Sequence, residues 1–132
     1  MGVRPDQSMF RWVWEANRGN PVGENTTLSL TSDENLVLAH LDGRIAWQTN
    51  TTNKGVIGFV LLSDGNLVLR DSNGSFIWQS FDSATDTLLF GQYLRIGGPT
   101  KLVSRASTTK NVNGVYSFVW SPKDWRCITR LR

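Results

Sequence analysis

The stretch from Asp64 to Leu94 reads D-G-N-L-V-L-R-D-S-N-G-S-F-I-W-Q-S-F-D-S-A-T-D-T-L-L-F-G-Q-Y-L. Two short apolar runs, Leu67 to Leu69 and Phe76 to Trp78, flank Asn73-Gly74. An Asn-Gly pair between such runs is a strong hairpin signal, because both residues of the tight turn take positive φ. Asp64-Gly65 marks a second turn just upstream, after Phe59 to Leu62. Three short strands are therefore expected over about twenty residues, and nothing in the stretch has a helical period. A further strand is expected within Thr85 to Leu94.

The same pattern stands earlier in the chain. Leu28 to Leu38, L-S-L-T-S-D-E-N-L-V-L, aligns without a gap with Phe59 to Leu69, F-V-L-L-S-D-G-N-L-V-L. Asp42-Gly43 then falls on Asn73-Gly74, and Trp47-Gln48-Thr49 falls on Trp78-Gln79-Ser80. An internal repeat decides architecture before local propensity does. Trp14-Glu15-Ala16-Asn17 resembles Trp47-Gln48-Thr49-Asn50, so the final strand of an earlier copy is expected around Phe10 to Trp14, without its preceding strands. Side chains alternate faces along a strand. The Leu36/Leu38 and Leu67/Leu69 pairs should face the core, which leaves Asn35 and Val37, and Asn66 and Val68, facing a surface groove. Trp14, Trp47 and Trp78 hold equivalent positions and should converge.

These residues carry a resemblance. The doubled Asp-x-Asn-Leu-Val-Leu, each copy followed by a turn and a Trp, resembles the bulb-type (monocot mannose-binding) lectin domain. Trp78-Gln-Ser-Phe-Asp82, Thr85-Asp-Thr-Leu-Leu89 and Gly91 are similar to the S-locus-glycoprotein branch of that family. Trp12 to Pro21 and Lys101 to Ser104 are similar to its secreted epidermis-specific glycoproteins. The resemblance implies an all-β fold, a type II β-prism of three small antiparallel sheets with pseudo-threefold symmetry, here truncated in its first repeat. It also implies a sugar site built as Gln-x-Asp-x-Asn-x-Val-x-Tyr. Asp accepts from sugar hydroxyls, Asn donates and accepts, and Val offers an apolar patch. The matching positions are Thr31, Asp33, Asn35, Val37 and Ala39, and Leu62, Asp64, Asn66, Val68 and Arg70. Both copies keep Asp, Asn and Val and lack the Gln and the Tyr, so the carbohydrate-binding set is degenerate. Asp and Asn also suit tight turns, a structural reason for their presence.

Composition bounds the alternatives. The chain has 132 residues, enough for one domain with a core, and six Trp and six Phe supply large apolar groups. No apolar run is long enough to span a bilayer. No signal peptide opens this chain, whose first ten residues are polar and mixed. Residues 1–94 carry six Lys/Arg and ten Asp/Glu, whereas residues 95–132 carry eight Lys/Arg and one Asp. That basic end is scattered and accompanied by no nucleic-acid-binding motif, so a solvated tail is expected and no nucleic acid partner. Cys127 is the one cysteine and is read as an unpaired thiol. Asp82 and Asp86 lack the partners of an acid/base pair, His40 is expected to be exposed, and no metal-ligand spacing is present. No enzyme, metal or cofactor is expected.

Three N-x-[ST] sequons, at Asn25, Asn50 and Asn73, fall on turns and mark candidate glycosylation sites. The chain divides into a lead-in over 1–9, a lectin-like domain over 10–94, a family-like extension over 95–120 and a divergent basic tail over 121–132. The resemblance implies an extracellular or cell-wall glycoprotein with weak or vestigial binding of mannose-type glycans or cell-wall glycoconjugates. The alternative is an interaction module that binds no sugar, or a fragment of a receptor-kinase ectodomain. Exposed sheet edges would favour self-association.

Overall fold

The computed structural model describes residues 1–6, 9–110, 112–123 and 125–129, with backbone alone at 3–6, 9–11 and 125–129. The described residues are all-β apart from one 3-10 turn, Ser80–Asp82. Their strands form three antiparallel sheets of three strands and one two-stranded hairpin. They divide into two compact units, Pro21–Ser80 and the pair of segments Met1–Asn20 with Phe81–Arg132.

The Pro21–Ser80 unit contains both full repeats. The first folds as β3 (Thr27–Leu30), β4 (Leu36–Ala39) and β5 (Ile45–Gln48). The second folds as β6 (Gly58–Leu61), β7 (Leu67–Arg70) and β8 (Phe76–Gln79). Register obeys the repeat: Leu28 faces Leu38 as Phe59 faces Leu69, and Leu38 faces Trp47 as Leu69 faces Trp78. Even the bulge recurs, between Leu38 and Ala39 and again between Leu69 and Arg70. These are two of the small sheets that the resemblance implies.

One core serves both repeats. Leu36 and Leu69 are fully buried and meet Val56 from the connecting segment, with Leu30, Trp47, Leu67, Ile77 and Trp78 around them. Trp47 and Trp78 pack edge to face, with ring centroids 5.6 Å apart and planes at 72°. Such pairs add about 0.5–1.5 kcal/mol beyond the area they bury. The expected meeting of Trp47 with Trp78 is thus found. Trp14 belongs to the other unit, where it is buried and donates from Nε1 to the Ser83 carbonyl at 3.0 Å.

In that other unit, β1 (Gly2–Asp6) pairs with β2 (Met9–Trp12), so the strand expected near Phe10 does not stand alone and part of the lead-in is strand. β9 (Lys101–Arg105), β10 (Asn113–Trp120) and β11 (Trp125–Thr129) form a sheet with β10 in the middle. β11 shows that the C-terminal end read as a solvated tail includes a strand. Trp125, Ile128 and Thr129 suit a strand, and pairing with β10 satisfies the backbone despite the scattered charge. The Cys127 side chain lies outside those described. The strand expected within Thr85 to Leu94 is also corrected: this segment turns. Gly91 takes a φ of 81°, and Gln92 ties the turn by accepting from the Leu89 N–H at 3.1 Å and donating to the Phe81 carbonyl at 3.1 Å.

A charge cluster fastens this unit. Arg105 pairs with Glu15 at 2.9 Å and Asp86 at 3.1 Å, and Arg18 reaches Asp86 at 3.3 Å. All four side chains are largely buried. Two cations therefore meet two anions, the arrangement that makes burial of charge tolerable.

Candidate functional site

Each repeat opens its middle strand with the same turn. The Thr31 N–H donates to the Asn35 carbonyl at 2.9 Å, and the Leu62 N–H donates to the Asn66 carbonyl at 2.8 Å. Asp33 and Asp64 sit in these turns, both exposed. Their carboxylates are held differently. Asp64 Oδ1 accepts the Asn66 backbone N–H at 2.9 Å, a local bond that fixes the turn. In the first repeat Thr31 fixes the turn instead. Its hydroxyl accepts the Asn35 N–H at 3.2 Å and donates to the Asn35 carbonyl at 2.7 Å. The Asp33 carboxylate also accepts from outside the turn, taking the Thr52 hydroxyl at 3.0 Å. The hydroxyls of Thr31 and Thr52 together hold the Asp33 carboxyl below its ordinary value of 3.8.

The Asn and Val positions differ from expectation. Asn35 and Asn66 are buried, as are Val37 and Val68, so the face opposite the Leu pairs is not an open groove at these positions. The Asn amides are engaged by hydrogen bonds from the end of the third strand and the residues after it. Asn35 Nδ2 donates to Gln48 Oε1 at 2.7 Å, and Asn66 Nδ2 donates to Gln79 Oε1 at 2.8 Å. Asn35 Oδ1 accepts the Thr49 hydroxyl at 3.0 Å and the Thr51 N–H at 3.2 Å. Asn66 Oδ1 accepts the Ser80 hydroxyl at 3.3 Å. The same hydroxyls, Thr49 and Ser80, accept the N–H groups of Leu36 and Leu67 at 3.1 and 2.9 Å. Buried polar groups need such partners, and here the Asn amides meet that need internally.

Each repeat therefore presents an exposed carboxylate in front of a buried amide and a buried Val. The carboxylate can accept from a ligand hydroxyl as it stands. The sequence reading missed Gln48, Gln79, Thr49, Ser80, Thr51 and Thr52. Its available signal was the recurring Trp-Gln-Thr/Ser, whose Gln is in register with the Val of the middle strand. Of the lost positions, Thr31 has acquired the turn-closing role, Ala39 and Leu62 are half-buried, and Arg70 is exposed.

The sequon residues Asn25, Asn50 and Asn73 are all exposed, and Asn25 and Asn50 take positive φ of 63° and 57°. His40 is half-buried rather than exposed, its N–H bonded to the Arg44 carbonyl at 2.9 Å. Asp82 pairs with Arg95, while Asp86 is tied into the Arg18 and Arg105 cluster.

The repeat geometry agrees with what similarity shows. The family model described as D-mannose binding lectin matches residues 11–110. The chain belongs to this lectin family. It is 68% identical over 123 residues to the epidermis-specific secreted glycoprotein EP1 of Daucus carota, covering 93% of this chain and 32% of that protein. EP1-like glycoprotein 4 of Arabidopsis thaliana is 65% identical over 123 residues, covering 93% of this chain and 28% of that protein. A G-type lectin S-receptor-like serine/threonine-protein kinase of Arabidopsis thaliana is 39% identical over 112 residues, covering 83% of this chain and 14% of that protein. The chain thus spans a third or less of the length of the curated relatives it matches. Among solved structures, the Polygonatum cyrtonema lectin complexed with monomannoside is similar at 24% identity and a TM-score of 0.38, over 85% of this chain and 78% of that one. A lectin from Allium sativum is similar at 24% identity and a TM-score of 0.39, over 84% and 82%. No helix among the described residues is long and apolar enough to cross a membrane.

Proposed function

We propose that this lectin-family chain is an extracellular glycoprotein module with weak binding of mannose-type glycans at two degenerate sites. Asp33, Asn35 and Val37 form the first, and Asp64, Asn66 and Val68 form the second. The observation that carries the reading is Asp33, an exposed carboxylate that accepts the Thr52 hydroxyl and is held below its ordinary value by the hydroxyls of Thr31 and Thr52. The name of the Daucus carota relative, a secreted glycoprotein, supports the extracellular setting, with Asn25, Asn50 and Asn73 as exposed candidate glycan acceptors. The partners are mannose-type glycans or cell-wall glycoconjugates, and the reading includes neither an enzymatic activity nor nucleic acid binding. Residues 10–94 are its lectin-like part, 95–120 the extension and 121–132 the divergent end. Strands at sheet edges, such as β3 and β6, are where self-association would occur.

Weakness follows from chemistry. Replacing Gln by Thr31 or Leu62, and Tyr by Ala39 or Arg70, removes two polar contacts from each site. Each hydrogen bond contributes about 0.5–1.5 kcal/mol net, so two losses weaken binding by about one to two orders of magnitude. Two sites also limit compensation by multivalency. Retention on mannose resin tests the reading: the chain should be retarded, and Asp33→Ala with Asp64→Ala should elute in the void. Identical elution of both proteins would reject it. A second reading, an interaction module that binds no sugar, draws support from the internal use of the Asn35 and Asn66 amides.

A further inference from the structure

Gln48 and Gln79 occupy equivalent places, directly after Trp47 and Trp78. Each is paired in register with the Val of its site, Val37 with Gln48 and Val68 with Gln79. Residues opposite one another in an antiparallel pair project from the same face. The Gln side chains therefore share the face of the Asp-x-Asn-x-Val row. There each Oε1 accepts the Asn Nδ2, at 2.7 Å in the first repeat and 2.8 Å in the second. One of the two N–H donors of each Asn amide is thus already paired with an internal acceptor. Val37 and Val68 beside them are 8% and 0% exposed.

We propose that Gln48 and Gln79 limit sugar affinity further, beyond the two lost contacts, each amide oxygen standing where a sugar hydroxyl would accept from Asn35 or Asn66. This rests on the mannose-type reading above and names what holds those sites closed. A ligand must displace the Gln before it reaches the Asn amide or the Val. Shortening the Gln leaves a buried N–H unsatisfied, which is costly until a hydroxyl replaces it. The Gln-to-Ala exchange therefore trades stability for affinity.

The test is titration with methyl mannoside of the unmodified chain, Gln48→Ala with Gln79→Ala, and Gln48→Glu with Gln79→Glu. The Ala variant should bind about tenfold more tightly, equal to about 1.4 kcal/mol, while its melting temperature falls. The Glu variant keeps an acceptor at the same reach and should stay closed. A merely structural Gln would lower stability without raising affinity, and that result in a folded Ala variant overturns the proposal. Should the Ala variant fail to fold, the unmodified chain carries the test: saturating methyl mannoside should shift the side-chain amide resonances of Gln48 and Gln79. Unmoved Gln signals beside shifted Asp33 and Asp64 amides overturn it equally. Asp33→Ala with Asp64→Ala separates the two levels. Binding that survives this change rejects the sugar-site assignment itself, whereas binding lost with the carboxylates but insensitive to the Gln rejects the closure alone.

Discussion

Glu34 and Gly65 hold the same place in the two repeats, with φ of 72° and 88°. Glycine takes such a φ without a Cβ clash, whereas Glu carries a cost of roughly 1 kcal/mol or more. The first repeat offsets that cost through the side chain. Glu34 Oε2 accepts the Val56 N–H at 3.2 Å and the neighbouring Gly55 N–H, so the turn grips the linker that delivers Val56 to the shared core. The same contrast runs through the carboxylates. Asp64 accepts the Asn66 N–H of its own turn, while Asp33 also reaches outward to Thr52. A common backbone thus supports a second repeat that is locally self-sufficient and a first repeat that organises the segment following it.

The comparison breaks most visibly in the core. Leu36→Ala and Leu69→Ala should each lower stability by about 2–5 kcal/mol in urea denaturation, because both side chains are fully buried. A small effect at one and a large effect at the other would contradict a core shared equally by the repeats. Next come the amides. Asn35→Ala and Asn66→Ala each strand the partners of a buried polar group and should cost about 1–3 kcal/mol by the same measurement. The turn itself gives a finer test. Glu34→Ala should cost about 1 kcal/mol through lost backbone contacts, and Glu34→Gly less, since glycine relieves the positive φ. Gly65→Ala should instead be destabilising by about 1 kcal/mol. Equal responses to Glu34→Ala and Glu34→Gly would remove the strain argument.

The smallest effect is a pH dependence at Asp33 in the first repeat. The Asp33 carboxyl lies below its ordinary 3.8 in the folded chain, through the hydroxyls of Thr31 and Thr52. A depressed folded value adds stability that is present above the unfolded value and lost as pH falls through the folded one. Stability should therefore decline below about pH 4, and Asp33→Asn should flatten that part of the profile. Denaturation across the acid range reads this directly, and an unchanged slope in Asp33→Asn would show that the Thr52 bond contributes nothing in solution.

Much of this architecture was legible in the sequence because a repeat at fixed offset carries turns, alternation and register together. The strands β3 to β8 match the two predicted units to within a residue, and Asp42-Gly43 and Asn73-Gly74 mark their hairpins, although only the glycines, at 84° and 82°, take the positive φ expected of both turn residues. What the pattern could not convey is long-range pairing of polar groups. The Glu15, Arg18, Asp86 and Arg105 cluster joins residues far apart in sequence with no shared motif. β11 pairs through its backbone in a stretch whose charge suggested a tail. At the site, alternation placed Asn35 and Val37 together on one face but gave no hint that Gln48 would bond the Asn35 amide there. Strand period assigns a face; only the neighbouring strand's side chains decide whether that face is open.

The central proposal is weak sugar binding at Asp33 and Asp64. The most direct measurement is a backbone amide NMR titration of the unmodified chain with methyl mannoside. The account predicts small, fast-exchange shifts confined to Asp33–Val37 and Asp64–Val68 and the facing ends of β5 and β8. Shifts elsewhere, slow-exchange tight binding, or no shift at concentrations that saturate weak lectin sites would contradict it.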